Sequence, residues 1–175
     1  SDIGRIMSRL DSLGLLENTI VLFSSDNGPH SEGGLNPEVL NSSGELRGKK
    51  RDLYEGGIKV PFIVSWKGVI QPQSVSNHVS AFWDFLPTIN DLLQVSLEQQ
   101  LDGISYLPTL LDSKAQKKHD YLYWEFHGKG GKQAVLKDNW KYISLNVNGN
   151  QTTDELFNLS LDPMELNDVS ENNPD

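Results

Sequence analysis

The run Ile20-Val21-Leu22-Phe23, entered from Thr19, is apolar at every position and cannot offer one wet face and one dry one. A strand of that kind belongs inside a sheet covered on both sides by helices, which points to an α/β architecture. The preceding segment agrees. From Ser1 to Leu16, Ile3, Ile6, Met7, Leu10 and Leu13 keep the three-and-four spacing of a helix with one stripe to bury. Gly14 and Asn18 then bracket a short connection. A second strand is expected over 60–66, with Pro61 near its start, where a missing N–H does no harm. A helix is expected over 86–93, with Pro87 in its first turn.

The pattern changes after about residue 100. Residues 121–127, 133–137 and 140–144 are aromatic-rich or alternating and are separated by Gly128 to Gly131 and by Asp138-Asn139, as in a small antiparallel meander. The tail mixes apolar anchors with a turn at Asp162-Pro163 and ends in acidic polar residues expected to fray. The organisation expected is an α/β portion over 1–104 and a small antiparallel-sheet subdomain over 105–175.

Charge and composition remove several classes of function. A net charge of -9 argues against a nucleic-acid partner, which requires a basic face. No apolar run approaches the roughly 18 residues of a membrane span, so no membrane partner is expected. Without cysteine the chain holds no disulfide, thiolate metal site or cysteine nucleophile. The charged residues throughout the first helix are unlike a secretory leader.

Between the two strands lies a long polar loop. It opens with Asp26-Asn27-Gly28, carries Arg47-Gly48-Lys49-Lys50-Arg51, and closes with Tyr54-Glu55-Gly56-Gly57. Open α/β sheets place their chemistry at the carboxyl ends of strands, and Asp beside Asn suits a hard cation such as Ca²⁺ or Mg²⁺. A metal with a fixed ammonium nearby makes a site for an anion. The plainer alternatives are a tight Asp-Asn-Gly turn using positive φ and a solvated basic loop. Glu55 either pairs with a lysine and fixes its position or belongs to the site, and Gly56 and Gly57 allow close approach of backbone to a ligand or another loop. Gly44 to Lys49 fails the spacing of a phosphate-binding loop and joins no strand to a helix. Of the four histidines, His30, His78, His119 and His127, no two have the spacing of a zinc pair.

Ser25-Asp26-Asn27-Gly28-Pro29-His30, then Leu46 through Pro61, then Ala81-Phe-Trp-Asp-Phe-Leu-Pro-Thr88, then Asp102-Gly103-Ile104-Ser105 resemble, in this order, the carboxyl-terminal half of a type I sulfatase. That family is arylsulfatase-like and formylglycine-dependent and belongs to the alkaline phosphatase superfamily. The resemblance covers nearly the whole chain. It implies part of a mixed α/β sheet with helices, and hydrolysis of a sulfate ester on a glycan or aryl sulfate. Asp26 and Asn27 then match metal ligands, for Ca²⁺ in preference to Mg²⁺. Lys50, four residues before Tyr54, matches the catalytic lysine that contacts sulfate, with Lys49 as its competitor. His30, Glu125 and His127 become candidate substrate contacts, and Gly28, Glu55, Gly56 and Gly57 structural neighbours of the site.

The resemblance also implies what this chain does not carry. The family's nucleophile is a formylglycine made from Cys or Ser in an upstream motif, so the partner expected is the amino-terminal half of the same enzyme. The chain by itself is expected to be an inactive fragment with weak metal affinity. Relatives of this kind are exported, to the periplasm or the lysosome. The sequons at Asn41, Asn150 and Asn158 are treated as chance matches. Two alternatives stand beside the sulfatase. A phosphate or phosphonate ester hydrolase of the same superfamily usually has His where Asn27 stands, which suits zinc. A non-catalytic calcium- or glycan-binding remnant would use Tyr121, Tyr123, Trp124 and Trp140 to stack on sugars, where the plainer expectation is core packing.

Overall fold

A computed structural model describes residues 1–96 and 98–173. In chain order its regular elements are α1 (Asp2–Ser12), β1 (Ile20–Ser24), α2 (Glu55–Ile58), β2 (Phe62–Trp66), α3 (Phe85–Leu93), α4 (Leu107–Leu110), β3 (Leu122–Phe126), β4 (Lys132–Lys137), β5 (Trp140–Leu145) and β6 (Thr153–Asn158). The expected helix and strands before residue 100 are all present within a few residues of their expected bounds. Pro61 sits just before β2, so its missing N–H costs no ladder bond.

Packing divides the chain into two interleaved units, Ser1–Phe23 with Ile63–His119, and Ser24–Phe62 with Asp120–Asp175. This differs from a single cut at 104/105. The polar loop leaves β1 and returns to β2 after packing with the later meander, so the segments that make up one unit are not consecutive in sequence.

In the first unit β1 and β2 form a two-stranded sheet. The doubly covered strand expected from its composition is only half-buried, and Phe23 is exposed. The apolar stripe of α1 is likewise uncovered: none of its residues is buried, and Ile6 is 58% exposed. Besides Tyr106 and Leu107, what the unit does bury is polar. Asp84, fully buried ahead of α3, accepts N–H bonds from Ala81 at 2.8 Å and Ile104 at 2.9 Å, and the ring Nε2 of His119 lies 2.9 Å away. Thr88 donates to the Asp84 carbonyl at 2.7 Å and accepts the Tyr106 N–H at 3.0 Å. Three segments are thereby tied to one carboxylate, which satisfies its lone pairs without water.

The second unit is an antiparallel sheet in the order β3-β4-β5-β6, with Tyr123 opposite Val135, Val135 opposite Tyr142, and Tyr142 opposite Leu156. Its inner face holds Ala134, Ile143 and Phe157, packed with Leu53 and Tyr54 from the loop and with Trp124, Phe126 and Leu145. The period of two then sends Tyr123, Glu125, Trp140 and Tyr142 outward. The aromatics therefore divide: Trp124 packs against the core, while Tyr121, Tyr123 and Trp140 are exposed. Core packing, the plainer expectation for all four, holds for Trp124 alone.

Candidate functional site

Residues 24–57 leave β1 as a loop whose shape is set by glycines and backbone bonds. Gly28 donates to the Gly57 carbonyl at 2.9 Å, Lys50 to the Pro29 carbonyl at 2.8 Å, and Gly56 to the Arg47 carbonyl at 2.7 Å. The start of the loop, its basic segment and α2 are thus laced together. Neither Asn27 nor Gly28 has positive φ, so the tight turn considered for Asp-Asn-Gly is not formed. Gly28 is required for space instead, because a Cβ there would collide with the Gly56 carbonyl oxygen. Gly56 is as constrained. Its missing Cβ would stand 2.5 Å from the carbonyl oxygens of Arg47 and Gly48. The close approach expected of this glycine pair is backbone against another loop.

The donor chemistry around Asp26 fits a hard cation. Asp26 is exposed and has no hydrogen bond or ion pair among the described residues. Asn27 donates its Nδ2 to the Gly28 carbonyl at 2.9 Å, which leaves Oδ1 as its free acceptor. A carboxylate and an amide oxygen, side by side, are oxygen donors suited to Ca²⁺. They are two of the six to eight such an ion takes, and among the described residues no group of three His, Cys, Asp or Glu could hold a metal.

The lysines differ in placement. Lys49 is exposed, while Lys50 is half-buried and held by its backbone to Pro29, with Nζ 3.8 Å from Glu32. Arg51 pairs with the same Glu32. His30 accepts the Glu32 N–H at Nδ1, 3.1 Å away, which leaves the proton of the neutral ring on Nε2. Asp26, Asn27, His30 and Lys50 thus belong to one laced loop. Glu125 and His127 pair with each other at 3.2 Å, and Glu125 also accepts the Tyr123 hydroxyl at 2.8 Å. Among the described residues no hydrogen bond or ion pair joins those two to residues 24–57.

Beneath α2 lies a buried ionic cluster that the sequence did not announce. Glu55 pairs with Lys141 of β5 at 2.9 Å, and Lys141 Nζ is also 2.8 Å from Glu165 Oε1, an ion-pair distance at a poor hydrogen-bond angle. Glu165 Oε2 accepts the Glu55 N–H at 2.6 Å. Lys141 and Glu165 have no exposed surface. Burial pushes the Glu165 carboxyl above its ordinary range, against the opposing pull of Lys141. The lysine partner expected for Glu55 therefore comes from the meander, while Lys59 is more distant at 3.8 Å. Beside the cluster Arg47 lies 3.8 Å from the Tyr54 ring centre, 3.5 Å from Glu155, and donates to the Glu165 carbonyl at 2.9 Å. Tyr54 donates to Glu155 at 2.6 Å, and its hydroxyl titrates above the usual tyrosine range, through burial first and Glu155 second.

Known proteins decide the family. The family model Sulfatase matches residues 2–95, more than half of the chain. The chain belongs to the sulfatase family. Among its relatives, N-acetylgalactosamine-6-O-sulfatase of Bacteroides thetaiotaomicron is 33% identical over 99% of this chain and 37% of its own length. Arylsulfatase K of Gallus gallus is 33% identical over 96% of this chain and 31% of its own. A solved sulfatase structure from work on glycosaminoglycan metabolism by Bacteroides thetaiotaomicron superposes with a TM-score of 0.75 at 30% identity, covering 98% of this chain and 39% of that one. The mixed α/β architecture is therefore that of sulfatases, and this sulfatase chain spans about a third of the length of such relatives.

Proposed function

We propose that this chain is the carboxyl-terminal portion of a sulfuric ester hydrolase and supplies one side of its calcium and sulfate site. The observation that carries this is the Asp26-Asn27 pair, a carboxylate without a partner among the described residues beside an amide whose oxygen is left free. Asp26 and Asn27 contribute metal oxygens, and Lys50 places a compact positive charge with rotatable donors at the sulfate. In the resting loop Glu32 neutralises that ammonium from 3.8 Å, and an arriving sulfate takes over this role. His30 Nε2–H donates to substrate, with Glu125 and His127 as further contacts that set its identity. Calcium, when bound, supplies Lewis-acid stabilisation of the charge on the sulfuryl oxygens. The nucleophile, a formylglycine, comes from the amino-terminal half of the enzyme, which is the partner of this chain. A sulfated glycan is favoured as substrate, because one relative is named for a sulfated amino sugar. Export is proposed with it; among the described residues no helix is long and apolar enough to cross a membrane.

The test is metal analysis of the full-length protein, together with assays on an aryl sulfate, an aryl phosphate and a glycan array. Calcium with sulfate-ester turnover is expected. Asp26→Ala is expected to weaken calcium binding by at least about tenfold, the scale already seen for residues one shell further out. Zinc with phosphatase activity would establish the phosphate or phosphonate hydrolase instead. Sugar binding without turnover would establish a binding module.

A further inference from the structure

A buried charge cluster needs a reason, because replacing one with apolar residues of similar volume is often neutral or stabilising. Lys141, Glu165 and Glu55 form such a cluster, with two carboxylates around one ammonium. The element they hold is short and almost bare. Helix α2 is a single turn whose middle residues are Gly56 and Gly57, so apart from Ile58, which packs against the core, little side-chain packing locates it. Its position is set by Glu55, through the side chain to Lys141 at 2.9 Å and the backbone N–H to Glu165 at 2.6 Å.

From α2 the contacts lead directly to the candidate metal residues. The Gly57 carbonyl accepts the Gly28 N–H at 2.9 Å, and the Gly56 carbonyl oxygen occupies the space a Gly28 Cβ would need. Any displacement of α2 therefore moves Gly28, and with it Asn27. A second line starts from Glu165. Its carbonyl accepts from Arg47 at 2.9 Å, the carbonyl of Arg47 accepts the Gly56 N–H, and Arg47 precedes Lys50 by three residues. Glu165 also holds a left-handed backbone, φ 57°, which is uncommon outside glycine. Such a conformation persists where the surroundings over-determine it.

We propose that Glu165 and Lys141 are positioning residues for the candidate site: with Glu55 they fix where α2 bears on Gly28, and so where the oxygens of Asp26 and Asn27 stand. This rests on the sulfatase function proposed above, and it makes the late meander part of the site's frame. The residues touch neither metal nor substrate. They act through Gly28.

The test uses the full-length protein and Glu165→Gln, which preserves volume and an acceptor for the Glu55 N–H but removes the charge that faces Lys141. Hydrogen exchange at the Gly28 amide is expected to accelerate at least about tenfold, while the β5 amides stay as protected as in the parent. Calcium affinity measured by calorimetry is expected to fall about 10- to 100-fold, with KM for an aryl sulfate little changed. Gly28 exchange within twofold of the parent would overturn the proposal. Should Glu165→Gln not fold, Glu165→Asp, which keeps the charge and withdraws it by one methylene, decides on the same readouts. Failure of both variants to fold would also overturn it, by assigning the cluster to stability alone. Absence of sulfate-ester turnover in the parent would instead defeat the function, and Gly28 exchange would still report on the positioning.

Discussion

A methyl group added to Gly28 would run into the Gly56 carbonyl, although the backbone angles of Gly28 would suit any residue. Gly28→Ala is therefore expected to cost about 1–3 kcal/mol through overpacking, read from urea unfolding, and to lower calcium affinity in the same protein. The dipeptide Asn27-Gly28 suggests a turn to anyone reading the chain in one dimension, and the collision that explains it comes from residues far along the chain. His78 is a residue of another kind. Its Nε2 is buried without a hydrogen-bond partner among the described residues, near Asp84, His119 and Lys118, and burial lowers its pKa below the usual 6.5. The folded state then prefers the neutral ring, so its contribution to stability is full above pH 6.5 and is lost as pH falls through the lowered value. Unfolding free energies measured at pH 7 and pH 5 should differ less in His78→Phe than in the parent.

At the scale of elements, β6 went unseen in the sequence because Thr153-Asp154-Glu155 carries no apolar alternation. Its place is set by Phe157, fully buried against Tyr54 in an edge-to-face contact at 6.3 Å. Phe157→Ala should lose about 3–5 kcal/mol in thermal or urea unfolding, since the cavity opens in the middle of the core cluster of that unit. Strand β5 shows why pattern alone misleads. Trp140 and Tyr142 suggest an inner face and Lys141 an outer one, yet Lys141 is buried and the aromatics are exposed. Its parity with Ile143 and Leu145 is visible in the sequence, but the carboxylates that make burial of an ammonium tolerable lie 86 and 24 residues away, at Glu55 and Glu165. Asp26 and Asn27, Lys50 and the glycines could be proposed from the sequence because each stands in a short run of adjacent residues, Ser25–His30 or Leu46–Pro61. Glu165 was not, since a single glutamate in an acidic tail carries no distinguishing signal.

At the scale of the whole molecule, the first unit keeps Ile3, Ile6, Phe23, Ile63 and Phe85 exposed, and the chain covers about a third of the relatives it matches. With two oxygen donors toward an ion that takes six to eight, the 175-residue chain alone is expected to bind Ca²⁺ weakly and to hydrolyse no sulfate ester. Calorimetric titration giving a submicromolar Kd for this chain would contradict that. What the amino-acid order determined by itself was local: the α1 stripe, the strands β1 and β2, the α/β class, and the run of oxygen-bearing candidates after β1, each written in residues close enough to share a period or a loop. Tertiary structure alone decided that the loop packs with the meander, that Lys141 turns inward, and that Glu165 holds α2 against Gly28. Those outcomes depend on charges and carbonyls brought together from distant positions, where the cost of burying one group is met only by another that no local pattern can predict.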